Sequence, residues 1–202
     1  MPKVKVKRKS TLIDMTAMSD VTVLLLTFFM LTSTFIQKEP VMVSTPASVS
    51  EIKIPEVNLL QVLIDQQGKI FLSLDRQEDR VAVLKAMGKE YGIEFTPEEI
   101  NRFKVAPSFG VPIREMKSFL DLDLAKQDEI LKTKGIPNDS TNNQFKNWIV
   151  QARLQNSDLR IAIKADATTP YPVIKSVMSS LQEIRENRYN LITSLKTVPA
   201  DM

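Results

Sequence analysis

MTAMSDVTVLLLTFFMLTSTFI, residues 15–36, is the stretch on which the reading of this chain turns. Its last sixteen residues, from Val21 on, carry no charge. A helix rises about 1.5 Å per residue, so those sixteen span about 24 Å, short of a hydrocarbon core of about 30 Å. Gln37, Lys38, Glu39 and Pro40 follow, a polar run ending in a helix breaker, so the span must extend toward the N-terminus. Counting from Met15 gives 22 residues, about 33 Å. That places Asp20 inside the bilayer, where an ionised carboxylate costs roughly 2.5 kcal/mol or more unless it is protonated, paired or hydrated. Thr16, Asp20, Thr27 and Thr34 fall on one strip about 40° wide at about 3.6 residues per turn, and the rest of the helix is Leu, Phe, Val and Met. Such a strip suits a helix packed among partner helices beside a hydrated path. The plainer reading is an ordinary anchor whose acid snorkels to the interface and whose threonines bond their own backbone.

Working outward, the residues before the span hold five cations, Lys3, Lys5, Lys7, Arg8 and Lys9. Cations flanking a span face the cytoplasm, so the N-terminus is expected inside and the remainder outside the inner membrane. The first twenty residues hold these five cations against two anions, while the other 182 balance at 22 of each. The net charge of +3 is therefore a topology signal and no argument for nucleic acid. A cleaved leader fits poorly, because the run is long, its leading edge is acidic and the nearest small-residue site, around Ala47, lies well past it.

The chain has neither cysteine nor histidine, which removes disulfides, thiolate chemistry, zinc fingers and the usual catalytic triads. No phosphate loop or nucleophile elbow occurs among its five glycines, so no enzyme activity, cofactor or metal is expected. Proton chemistry, if present, falls to carboxylates, Lys or Tyr.

Residues 37–58 hold Pro40, Pro46 and Pro55 among small polar residues and read as an extended tether, within which Ile52, Lys53, Ile54 and Pro55 alternate as an edge strand would. Residues 59–64 and 70–74 are apolar runs about the turn Asp65 to Lys69, a hairpin. Asp75 with Glu78 reads as a helix start, Val81, Leu84 and Met87 as its stripe, and Gly92 as its end. Residues 159–164 alternate as a strand, Asp166 to Pro170 turn, and Ile174, Val177, Met178, Leu181 and Ile184 stripe a further helix before a last strand in 189–195. An α+β domain of two strand pairs with packing helices follows, one face of its sheet covered. Between 95 and 158 the chain is polar. Residues 121–134 read as one helix, and Thr141 with Gln144 as a capping box before Phe145, Trp148, Ile149 and Ala152, with Trp148 buried. Glu98, Glu99, Asp121 and Asp123 read as solvated faces.

Asp14, Met15, Thr16, Ala17, Met18, Ser19, Asp20 and Val21, running into Leu24, Leu25, Leu26, Thr27, Phe28, Phe29 and Met30, resemble the membrane signature of the ExbD/TolR family of biopolymer transport proteins. Ala17 stands where that family has proline and Asp14 where Asn is common. Ile54 and Pro55, the hairpin with Gly68 in its turn, and Ala165 and Asp166 leading through Tyr171 to Val177, Met178 and Leu181 are similar to its outer domain. Residues 95–158 depart from the pattern, since the family's connection there is shorter.

The resemblance implies a cytoplasmic basic tail (1–13), one transmembrane helix (14–36), a periplasmic linker (37–58) and a periplasmic domain (59–202) with helices inserted at about 95–158. It implies that Asp20 is the proton-carrying acid and that a homodimer threads a pentameric ExbB/TolQ-like subunit within membrane lipid. The outer domains would then pass work, drawn from the proton motive force, to a TonB- or TolA-like transducer serving outer-membrane transport, with Ile54 and Pro55 in the tether's partner segment. The alternatives are a TolR-like envelope-integrity subunit and a passive anchor carrying a peptidoglycan-binding module.

Overall fold

The computed structural model describes residues 15–33, 43–48, 57–139 and 141–195. It divides into two compact units, Met1–Gln37 and Lys38–Met202.

The first unit is the helix α1, Met15–Thr32, with 18 residues or about 27 Å of length. It is long and apolar enough to cross a membrane. None of its residues is buried, and Leu31, Met30 and Phe29 are 86%, 72% and 64% exposed. An exposed and mostly apolar surface of this extent is stable only against lipid or other helices.

The second unit begins with β1, Ala47–Ser48, and the hairpin β2, Leu59–Ile64, with β3, Ile70–Leu74, paired antiparallel from Leu60↔Leu74 to Ile64↔Ile70. Asp65 shapes the turn: its Oδ1 accepts from Gln67 N at 2.9 Å and Lys69 N at 2.7 Å, and Gly68 takes φ +82°. Helix α2, Gln77–Tyr91, closes on Gly92 at φ 67°, in the left-handed region glycine tolerates. Its N-cap is Arg76, with no side-chain bond, so the Asp75 start anticipated above is corrected by one residue. Val83, Leu84 and Met87 are buried, whereas Val81 is half-buried.

Helices α3, Pro97–Val105, α4, Met116–Leu120, α5, Leu124–Thr133, and α6, Gln144–Gln155, fill the middle of the chain. Three expectations change here. The helix read at 121–134 starts at Leu124, because Asp121 closes α4. The cap of α6 is Asn143, whose side chain accepts from Lys146 N at 2.9 Å, so the Thr141 box does not form. Gln144 turns inward instead, its Oε1 accepting from Ile113 N at 2.9 Å. Glu99 is buried, not solvated: its carboxylate accepts from Thr96 N at 2.6 Å and Thr96 Oγ1 accepts from Glu99 N, a reciprocal capping box. Glu98, Asp121 and Asp123 are exposed as read.

Strand β4, Arg160–Ala165, helix α7, Tyr171–Glu183, strand β5, Tyr189–Leu191, and strand β6, Ser194–Leu195, complete the fold. The four-stranded sheet runs β3-β2-β4-β5, with β2·β4 and β4·β5 parallel. The two expected strand pairs therefore lie side by side in one sheet, while β1 and β6 form a separate parallel pair. One sheet face carries Leu60, Val62, Ile64, Leu72, Leu74, Ile161 and Ile163, all buried. The opposite face is also buried at its centre, at Leu63, Phe71 and Ala162, which corrects the expectation of a single covered face. The middle segment contributes to that cover, since Gly110 lies against the ring of Phe71, and it also pairs with the sheet edge. Leu72 and Phe109 exchange backbone bonds at 2.8 and 2.9 Å, and Ile136 N donates to Ile70 O, so the chain of 107–136 seals the β3 edge. Trp148, buried in the core, lies near parallel to Phe103 at 6.4 Å between ring centroids and tilted by 50° to Phe109 at 4.6 Å.

Candidate functional site

Asp20 is the single ionisable residue of α1, about one and a half turns from its N-terminal end. The surrounding sequence is a good helix former, with Ala17, Met15 and Met18 before it and a leucine run after it. Three threonines of this helix bond back to its own carbonyls. Thr27 Oγ1 donates to Leu24 O at 2.9 Å, Thr22 Oγ1 to Met18 O at 2.7 Å and Thr32 Oγ1 to Phe28 O at 2.8 Å. Back-bonded hydroxyls place little demand on their surroundings, so the carboxylate of Asp20 is the one group of the helix that requires a polar or protonating environment. Thr16 lies one turn before Asp20 on the same face and Thr27 two turns after it. Thr34, the cations Lys3, Lys5, Lys7, Arg8 and Lys9, and Ile54 and Pro55 lie outside the described residues.

In the second unit two polar centres stand out that sequence patterns did not reveal. Arg80, 3% exposed, donates Nε to Leu74 O at 2.6 Å, Nη1 to Ala106 O at 2.7 Å and Lys104 O at 3.1 Å, and Nη2 to Asp75 O at 3.3 Å. One guanidinium thus ties the end of β3 to the end of α3. Burial lowers its pKa, and the charge of Asp75 opposes that shift. Asp166 is the second centre. Its carboxylate accepts from Thr168 Oγ1 at 2.7 Å, Thr168 N at 2.9 Å and Ser44 N at 2.9 Å, and these bonds hold its pKa below the ordinary carboxylate value, the Thr168 hydroxyl foremost. Ala167 N returns a bond to Ser44 O at 2.8 Å, so residues 43–48 are held against the loop after β4. An Asp followed two residues later by Thr is a recognisable turn motif, but its long-range partner has no local signal.

A cavity of about 640 Å³ opens among α3, α4 and α5, lined by Val105, Phe119, Leu122, Leu124 and Leu131 with Arg102 among its polar groups. Among the described residues no group of His, Cys, Asp or Glu is arranged to hold a metal ion.

A single apolar helix bearing one carboxylate, joined to a small mixed-sheet domain, defines the class of single-span membrane-anchored α+β proteins. A family model described as biopolymer transport protein ExbD/TolR matches residues 6–196, nearly the whole chain, and the protein belongs to that family. Members are non-enzymatic transport proteins that associate with ExbB/TolQ-type and TonB/TolA-type partners. Neither the curated proteins nor the solved structures contain a match.

Proposed function

We propose that the chain is the ExbD-like subunit of an inner-membrane motor driven by the proton motive force, with Asp20 as the group that takes up and releases the proton. The observation that carries this reading is the single carboxylate on an otherwise uncharged helix whose whole surface is exposed. The energies match. A charge crossing 100 mV gains about 2.3 kcal/mol, comparable to the cost of ionising a carboxylate in the bilayer, so proton uptake and loss can switch which surroundings Asp20 tolerates. A pentameric ExbB/TolQ-like subunit supplies those surroundings around a homodimer of this chain. Alternating charge and neutrality at Asp20 then drives relative rotation of the two components.

In this reading Lys3, Lys5, Lys7, Arg8 and Lys9 hold the tail in the cytoplasm, Thr16, Asp20, Thr27 and Thr34 line the path, and 14–36 spans the inner membrane. The tether of 37–58, with Ile54 and Pro55, carries the periplasmic domain of 59–202 to a TonB- or TolA-like transducer. This chain makes and breaks no covalent bond.

The test is Asp20→Asn, which is expected to preserve co-assembly with the membrane partner and abolish proton-dependent function, while Asp20→Glu retains part of it. Full function in the Asn variant would end the proposal. A passive anchor presenting a peptidoglycan-binding domain predicts the opposite in a second experiment, namely full function after the whole span is exchanged for an unrelated apolar helix.

A further inference from the structure

Arg160 opens β4, Arg188 immediately precedes β5, and Arg185 sits in the turn after α7. The register Ile161↔Tyr189 sets Arg160 and Arg188 side by side on adjacent parallel strands. Both line a cleft of about 780 Å³ with Asn58, Tyr189 and Asn190, and Arg188 and Arg185 line an adjoining one of about 380 Å³. Together the two clefts present four guanidiniums against two carboxylates.

One pair among these is structural. Arg153 meets Glu186 through two bonds, at 2.6 and 2.7 Å, and its remaining nitrogen donates to Ser157 O and Leu159 O. Arg160, Arg185 and Arg188 are exposed and form no ion pair among the described residues. Of the two carboxylates lining the clefts, Glu186 is taken by Arg153, which leaves Asp158. Like charges on neighbouring strands repel, so this placement works against folding and calls for a shared counter-charge.

The backbone adds an independent observation. Asn58 and Arg185, at φ 58° and 62°, are the non-glycine residues of positive φ among the described residues, and both line these clefts. Arg185 N donates to Gln182 O and Glu186 N to Leu181 O, both at 2.9 Å, the helix-ending arrangement in which the left-handed residue is ordinarily glycine. A cation elsewhere in the last turn would serve the helix dipole equally well. Arginine at the strained position itself puts a guanidinium into the cleft.

We infer that the cleft at the starts of β2, β4 and β5 is a binding site for an acidic peptide segment, its carboxylates held by Arg160, Arg185 and Arg188. Guanidinium forks pair bidentately with carboxylates. The three are spread along two joined clefts, which suits successive side chains of an extended chain better than one compact anion. The site does not involve Asp20 and stands apart from the proton-driven reading.

The test uses the full chain in detergent micelles at low salt, with labelled oligoglutamate as probe, oligoglutamine of equal length as control and linear polyphosphate of equal charge as competitor. Oligoglutamate is expected to bind, and Arg160→Gln with Arg188→Gln to weaken it about tenfold per guanidinium removed. Arg185→Gly is expected to weaken binding while the melting temperature holds or rises, a combination that a purely structural arginine would not produce. Asp20→Asn should bind as the parent does. The inference is overturned if oligoglutamate binds no better than oligoglutamine, if the double variant binds like the parent, or if polyphosphate is preferred to oligoglutamate.

Discussion

The backbone N–H of Ser44 donates to Oδ2 of Asp166 at 2.9 Å, across 122 residues of chain. Asp166 thereby joins residues 43–48 to the loop after β4, and its ionisation is part of that joint. Because the folded pKa lies below the unfolded value of 3.8, the bond network stabilises the fold fully above that value. The contribution is lost as pH falls through the lowered folded pKa. Denaturation midpoints should thus be flat in this respect from neutral pH to about pH 5 and decline only below about pH 4. Asp166→Asn should remove the acid-range decline assignable to this group and raise hydrogen exchange at Ala167. An unchanged acid profile in the variant would contradict this assignment.

Trp148 is fully buried, with Phe109 lying between it and Phe103, yet its Nε1 has no acceptor among the described residues. An unsatisfied buried donor costs about 1–3 kcal/mol, which offsets much of the volume lost on shortening the ring system. Trp148→Phe is expected to change stability by less than about 1.5 kcal/mol, whereas Trp148→Ala should cost about 3–5 kcal/mol. Chemical denaturation of the two variants distinguishes packing from hydrogen bonding at this position.

Gly110 lies against the ring of Phe71 so closely that an added Cβ would stand 2.0 Å from its Cδ1. Phe71 is itself fully buried and has nowhere to swing. Gly110→Ala should therefore destabilise the mixed-sheet domain by about 1–3 kcal/mol or more. Phe71→Leu in the same chain should recover part of that loss, a coupling that a double-mutant cycle reads directly.

Arg153 and Glu186 are each less than a third exposed, at 27% and 16%, and share two bonds. Removing the charge of Glu186 leaves the guanidinium half-paired in a partly desolvated place. Glu186→Gln is expected to lower stability by about 1–3 kcal/mol, and Arg153→Lys by a similar amount, since an ammonium cannot span the same partners. Thermal melts at low and high salt should show little salt dependence of the loss, in contrast to Arg76–Glu78, whose side chains are 46% and 83% exposed.

The hairpin Leu59–Ile64 with Ile70–Leu74, the helix ending at Gly92, the strand at β4 and the stripe of α7 were all legible from period and turn chemistry. Helix α3 was not read, although Thr96, Pro97 and Glu99 carry its signal once the acid is taken as a cap instead of as surface charge. The four-stranded order was not legible. A strand records which of its faces is apolar, and the choice of neighbour is made by segments a hundred residues away, as when Leu59 settles beside Arg160.

Asp20 on an uncharged helix, with cations before it and a proline-rich stretch after it, follows from residue order alone, because a span and its flanks are governed by partition between water and lipid within one short segment. Glu99 drawn inward, Arg80 bonded to four carbonyls, Ser44 held by Asp166, and Arg160, Arg185 and Arg188 gathered about one cleft arise only in three dimensions. Each depends on contacts between distant parts of the chain, whose selection rests on shape, charge and buried hydrogen bonding and leaves no periodic trace in the residues themselves.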